Sequence, residues 1–216
     1  MKLLLLSASP RKEKSQTLLL AKEVLKGCAG TQSEIVHLWD FKIGFCRHCE
    51  VCHKKILACP IPDDVGGILK KMLEADGILL ASPNYINQIT AGMKALFDRS
   101  THFIHCKRLL DKYILGVVSS GSGQDKPVLD YLKHYAHTCG AQYAGGIASA
   151  VPVSSEKLKE AFQLGEKFVS IIKTKKQFDD QISIIEAGKQ HFKKLVQLRK
   201  EEWSEEYQYW QNKGWL

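Results

Sequence analysis

Four of the chain's seven cysteines are spaced Cys46-x2-Cys49-x2-Cys52-x6-Cys59, with Pro60 directly after the last. Thiolates two residues apart can converge on one metal centre, and a fourth from a few residues on closes the set, as in bacterial cysteine runs that hold iron-sulfur clusters. Other uses suit the same thiols. Zinc accepts four thiolates, although its structural sites usually join two C-x2-C knuckles held well apart. Free thiols are a second alternative and thiol-disulfide exchange at Cys46 and Cys49 a third. Because four cysteines complete a ligand set, His48 and His53 read as exposed loop residues. Cys28, Cys106 and Cys139 lie in helix-like segments and read as packed small hydrophobes.

A second group of residues has anion chemistry. After the apolar run at 3–6 come Ser7, Ser9, Pro10, Arg11, Ser15, Gln16 and Thr17. Hydroxyls, a fixed positive charge and the unpaired N–H groups of a helix opening near Ser15 would meet in one place, which suits a phosphate. The loop has neither G-x-G-x-x-G nor G-x-x-x-x-G-K-[ST], so it is not a dinucleotide fingerprint or a triphosphatase loop. The same letters also suit an ordinary strand-to-helix turn with Ser15 as N-cap.

These residues need a frame. The unalternated apolar run at the start reads as a strand buried on both faces of a parallel sheet. Further strands are expected at 33–38, 77–81, 113–118 and 143–149, and helices at 17–26, 65–75, 90–103, 127–139 and 154–173. Five strand-helix alternations make an α/β doubly wound sheet of order 2-1-3-4-5, with ligands beyond the carboxyl ends of its strands. Two more loops arrive at that end. Pro83, Asn84, Tyr85 and Ile86 follow the third strand, and Ser119, Ser120 and Gly121 follow the fourth. Tyr85 suits either a ring-flanking role or core packing. Asp98 and Arg99 read as a helix-end ion pair or an interface contact.

With these letters in place, the chain resembles the flavodoxin-like NAD(P)H-dependent FMN reductase family. The resemblance rests on Ser7-x-Ser9-Pro10-Arg11 with Ser15 and Thr17, on Ser82-Pro83-x-Tyr85, and on the helix from Gly92 to Asp98-Arg99, covering residues 2 to about 150. It implies FMN held by Ser9, Arg11, Ser15, Gln16, Thr17, Pro83, Asn84, Tyr85, Ile86, Ser119, Ser120 and Gly121. Many relatives have Gly-Asn ahead of the loop threonine where this chain has Ser15-Gln16. The cysteine run is similar to the compact motif of the iron-sulfur flavoproteins, which implies Cys46, Cys49, Cys52 and Cys59 as ligands of a four-iron four-sulfur cluster. Related reductases carry a similar segment before an Asp pair, here Asp63-Asp64, and imply no cluster. The family also implies NAD(P)H as co-substrate, a flavin, quinone or protein as acceptor, and a homodimer or homotetramer.

The remaining composition sets bounds. The chain has 216 residues, 44% of them hydrophobic, enough for one large domain, expected at 1–177 with a cysteine-rich insertion at 44–64. Residues 178–216 differ: Phe192, Val196, Trp203, Tyr207 and Trp210 recur at helical spacing among charges and suggest a helical extension packed on its own domain or on a partner subunit. The net charge of +8 is spread along the chain, so no nucleic-acid partner is expected. No apolar run approaches the ~18 residues of a membrane span, and a cytoplasmic location is expected. The functional expectation is an FMN-dependent oxidoreductase, with an electron carrier of little NAD(P)H turnover as the alternative. A zinc-stabilised binding module is the third reading.

Overall fold

The structure is a computed structural model that describes residues Met1–Leu216. Its five strands are β1 (Lys2–Ser7), β2 (Gln32–His37), β3 (Gly77–Pro83), β4 (Tyr113–Ser120) and β5 (Gln142–Ala150). They form one sheet of order β2-β1-β3-β4-β5, every pair parallel, with Leu3 opposite Gly77 and Gly77 opposite Tyr113. The apolar runs make β1, β3 and β4 its buried centre. Leu4, Leu6, Ile78, Leu80, Ile114 and Val118 face one layer, and Leu3, Leu5, Leu79, Leu115 and Val117 face the other. That alternation lets an unalternated leucine run satisfy both sides.

The first layer holds α3 (Val65–Glu74), α4 (Ala91–Asp98) and α6 (Lys126–Cys139), and the second holds α1 (Gln16–Gly27) and α7 (Ser155–Lys173). Helices α1 and α7 touch backbone to backbone: a Cβ on Gly27 would lie 2.0 Å from the Phe162 carbonyl oxygen, and one on Gly165 2.0 Å from that of Val24.

The helix expected over 90–103 is instead two, α4 and α5 (Thr101–His105), broken at Arg99 and Ser100. Ser100 Oγ bonds back to the Phe97 carbonyl at 2.7 Å and meets Tyr135 Oη at 2.9 Å, side-chain bonding that competes with helix continuation. The extension folds as α8 (Asp179–Leu198) and α9 (Ser204–Asn212) on its own chain. Gln181 anchors it: the side chain accepts from Tyr143 N and donates to Tyr143 O at 2.7 and 3.0 Å. Helix α9 lies against the one-turn helix α2 (Val51–Lys54) of the cysteine insertion. No helix is long and apolar enough to cross a membrane.

Candidate functional site: a rim cavity and a cysteine pocket

At the carboxyl ends of the strands, loops from three distant parts of the sequence close on one cavity of about 180 Å³. Its lining contains Ser9, Arg11, Ser15, Gln16, Thr17, Pro83, Asn84, Tyr85, Ser119, Ser120 and Gly121, together with Val151, which the sequence reading missed. The missing signal was the end of β5, whose register brings Ala150 beside Ser120. Ser15 caps α1 by accepting from Leu18 N at 3.2 Å, so the N–H groups of Gln16 and Thr17 in the first turn face outward; no acidic side chain stands there. Thr17 Oγ1 and Ser119 Oγ meet at 2.6 Å, and Asn84 N donates to Ser119 O at 2.9 Å, which ties the loops together. Gln16 differs: its side-chain oxygen accepts from Val153 N at 2.9 Å and holds the β5 loop. Asn84 lines the cavity, and its buried Oδ1 has no protein partner.

Ile86 does not line this cavity. It tips a two-residue turn between Tyr85 and Gln88, with φ of 53° at Ile86 and 57° at Asn87, and is 99% exposed. A β-branched residue in the left-handed region is strained, a state that functional loops retain. Tyr85 is half exposed, which removes core packing as its explanation.

The cysteine loop makes a second cavity, of about 250 Å³. Cys46, Cys49, Cys52 and Cys59 all line it, all are free thiols, and none is fully buried. Cys52 is pushed up to about 12 by burial first, then by the negative charge of Glu206 and of its sister cysteines. Four free thiols on one cavity are a donor set that fits a thiolate-ligated metal centre. The other three cysteines are packed in the core as expected.

Arg99 closes the pocket floor. Its guanidinium donates to Cys59 Sγ at 3.1 Å, to Asp63 Oδ2 and Oδ1 at 2.7 and 3.1 Å, and to Gly44 O at 2.9 Å. Burial alone would raise the Asp63 carboxyl, but Arg99 and the N–H groups of Gly44 and Val65 outweigh it and hold it below the ordinary carboxylate range. The expected ion pair between Asp98 and Arg99 is therefore not present; Asp98 pairs with Lys94 one turn earlier. Asp63 and Arg99 instead pin both ends of the insertion to the end of α4.

His53 is also corrected. It is buried, not exposed, because Glu206 of α9 reaches it: His53 Nδ1 donates to Glu206 Oε1 at 2.7 Å, and His105 Nδ1 donates to Oε2 at 3.0 Å. Burial would raise the Glu206 carboxyl; the bonds from His105 and His53 lower it. His48 is exposed as expected. The two cavities stand at opposite ends of α4. Its N-cap Thr90 bonds Ser82 Oγ and Ala8 O in the rim, while Arg99 follows its last residue, and eight residues rise roughly 12 Å.

Comparison with known proteins agrees with this geometry. The family described as NADPH-dependent FMN reductase matches residues 1–156. An iron-sulfur flavoprotein of Methanocaldococcus jannaschii is 35% identical over 80% of this chain and 98% of its own. One from Archaeoglobus fulgidus is 31% identical over 87% of each. Among solved structures, the fold is similar to that of a flavone reductase (TM-score 0.66, 20% identity, 80% of this chain and 63% of that one). It is also similar to an archaeal flavodoxin (TM-score 0.55, 14% identity, 80% and 99%). The chain has the α/β flavodoxin-like fold and belongs to the NADPH-dependent FMN reductase family of flavin oxidoreductases, in its iron-sulfur flavoprotein branch.

Proposed function

We propose that this protein is an FMN-dependent oxidoreductase that passes electrons between NAD(P)H and a flavin, quinone or protein acceptor, with a four-iron four-sulfur cluster on Cys46, Cys49, Cys52 and Cys59. The reading is carried by one observation: loops after β1, β3 and β4 line a single cavity whose first wall is positive and rich in donors. In this reading Arg11, Ser9, Ser15 and Thr17, with the first N–H groups of α1, bind the ribityl phosphate. Pro83, Asn84, Tyr85 and Ser119–Gly121 orient the ring and shield it from water. FMN supplies two-electron hydride chemistry and one-electron transfer when bound, and the protein supplies position and electrostatics. No side chain in the cavity is needed as an acid or base. Residues 1–177 are the flavin unit, 44–64 the cluster insertion and 178–216 the extension.

The family resemblance supports a homodimer or homotetramer in which one subunit's cysteine loop meets another's flavin. Seven free cysteines suit the reducing cytoplasm. The second reading, an electron carrier with little NAD(P)H turnover, is favoured by exposure of Cys46 and Cys49, which opens the centre to a protein partner. Anaerobic mixing of the FMN-loaded protein with NADPH and then NADH separates the two. Rapid loss of flavin absorbance is expected of the reductase, and an unchanged flavin band that bleaches only with a low-potential protein donor supports the carrier.

A further inference from the structure

The extension beyond the family match converges on residues 50–56, on both sides of Cys52. Arg199 forks Glu50 at 2.7 and 3.0 Å, and Trp203 Nε1 donates to the same carboxylate at 3.3 Å. Glu205 accepts from Ile56 N, and Glu206 holds His53 and His105. Trp203 stacks on both imidazoles, at 4.7 and 4.6 Å between ring centres, while the Arg199 guanidinium lies 4.5 Å over the Trp203 ring. Glu50 lies between Cys49 and Cys52, His53 and Ile56 follow Cys52, and Glu206 and Trp203 tie His53 to His105 of α5.

Local sequence does not hold this segment. Helix α2 has four residues, and its N-cap Glu50 is left-handed with φ of 57°; a single helical turn has no stability of its own. A fully buried carboxylate such as Glu206 is costly unless each oxygen is satisfied. Here one oxygen takes each imidazole. From this convergence we propose that residues 199–206 form an outer clamp on the cysteine centre, in which Glu206 and Arg199 are positioning residues acting through His53 and Glu50 on Cys52 and Cys49. The role assigned to the metal rests on the cluster reading above; the ordering of residues 50–56 does not.

The test uses the full-length chain as wild type, Glu206→Gln, Arg199→Glu, Glu50→Arg and the swap Glu50→Arg with Arg199→Glu. FMN content and far-ultraviolet dichroism report folding independently of the clamp. In the metal-free proteins, amide exchange at 50–56 is expected to quicken in each single variant and to return towards wild type in the swap. After anaerobic loading with iron and sulfide, iron loss to a chelator is expected to accelerate about 10- to 100-fold in the single variants, as for other supports of metal ligands, and to recover in the swap. Should Glu206→Gln not fold, the partly exposed Glu50–Arg199 cycle decides alone. Unchanged exchange at 50–56 in the single variants overturns the clamp. A wild type that takes up no iron and sulfide overturns the cluster reading and leaves the exchange result to judge the clamp. Binding of zinc or cobalt(II) by a variant with all four cysteines changed to serine, lost on Glu206→Gln, would make His53, His105 and Glu206 a metal site and overturn their positioning role.

Discussion

Replacing Arg99 by Met should be among the most destabilising single changes in this protein. The guanidinium and the Asp63 carboxylate are each about 1% exposed, and the substitution removes every donor Arg99 contributes. It leaves Asp63 charged and buried with only the N–H groups of Gly44 and Val65. Breaking a buried pair by removing one partner costs about 3–5 kcal/mol. For a chain of this size that is roughly 6–20 °C in Tm. Urea unfolding of the FMN-free, metal-free protein at pH 7 measures it, with the double change Arg99→Met, Asp63→Leu as control. The double variant should lose less than the single, because no uncompensated charge remains. A loss under about 1 kcal/mol for Arg99→Met, or a double variant as unstable as the sum of the singles, would refute the reasoning. The pH dependence has a definite sign. The folded Asp63 carboxyl lies below its ordinary 3.8, so its contribution is complete above that value and is lost as pH falls through the lower folded one. Arg99→Met should flatten this acid limb.

Three further outcomes are expected. Arg11→Gln should weaken FMN binding roughly 10- to 150-fold, the equivalent of a charged hydrogen bond, as read by flavin fluorescence, without changing the Tm of the flavin-free protein. Ile86→Asn should raise stability by roughly 1 kcal/mol, because Asn accepts the left-handed turn that a β-branched residue resists; a lower Tm would refute the strain. Gly27→Ala should cost about 1–3 kcal/mol by overpacking, since its Cβ would meet the Phe162 carbonyl in a backbone contact. A neutral result would show that α1 and α7 separate easily.

The parts of the fold legible in the sequence are those where one local pattern decides the outcome. Leu3–Leu6 and Ile78–Leu80 are short apolar runs bounded by turn residues, the pattern of strands buried on both faces, and they pair at the centre of the sheet. The rim residues were legible because strand ends of a parallel sheet share one edge, which brings loops near residues 9, 84 and 120 together. What stayed hidden depends on partners distant in sequence. His53 looks like a loop histidine until Glu206, 153 positions away, arrives to bury it. Arg99 pairs with Asp63 and not with its neighbour Asp98, because the turn at Ser100 aims it at the insertion. The break between α4 and α5 was masked by apolar residues that keep helical spacing across Ser100, Met93, Leu96 and Phe97 before it and Phe103 after it. The aromatic spacing of the extension marked a buried face but not what it would cover.

The most direct test of the central claim is the cofactor content of the full-length chain purified and reconstituted without oxygen. About one FMN, about four irons and about four sulfides per chain are expected, with the metal lost and FMN kept when Cys46, Cys49, Cys52 and Cys59 are changed to serine. Protein that refuses FMN would contradict the rim assignment. Protein that keeps FMN but takes zinc, or no metal, would contradict the iron-sulfur assignment of the cysteines.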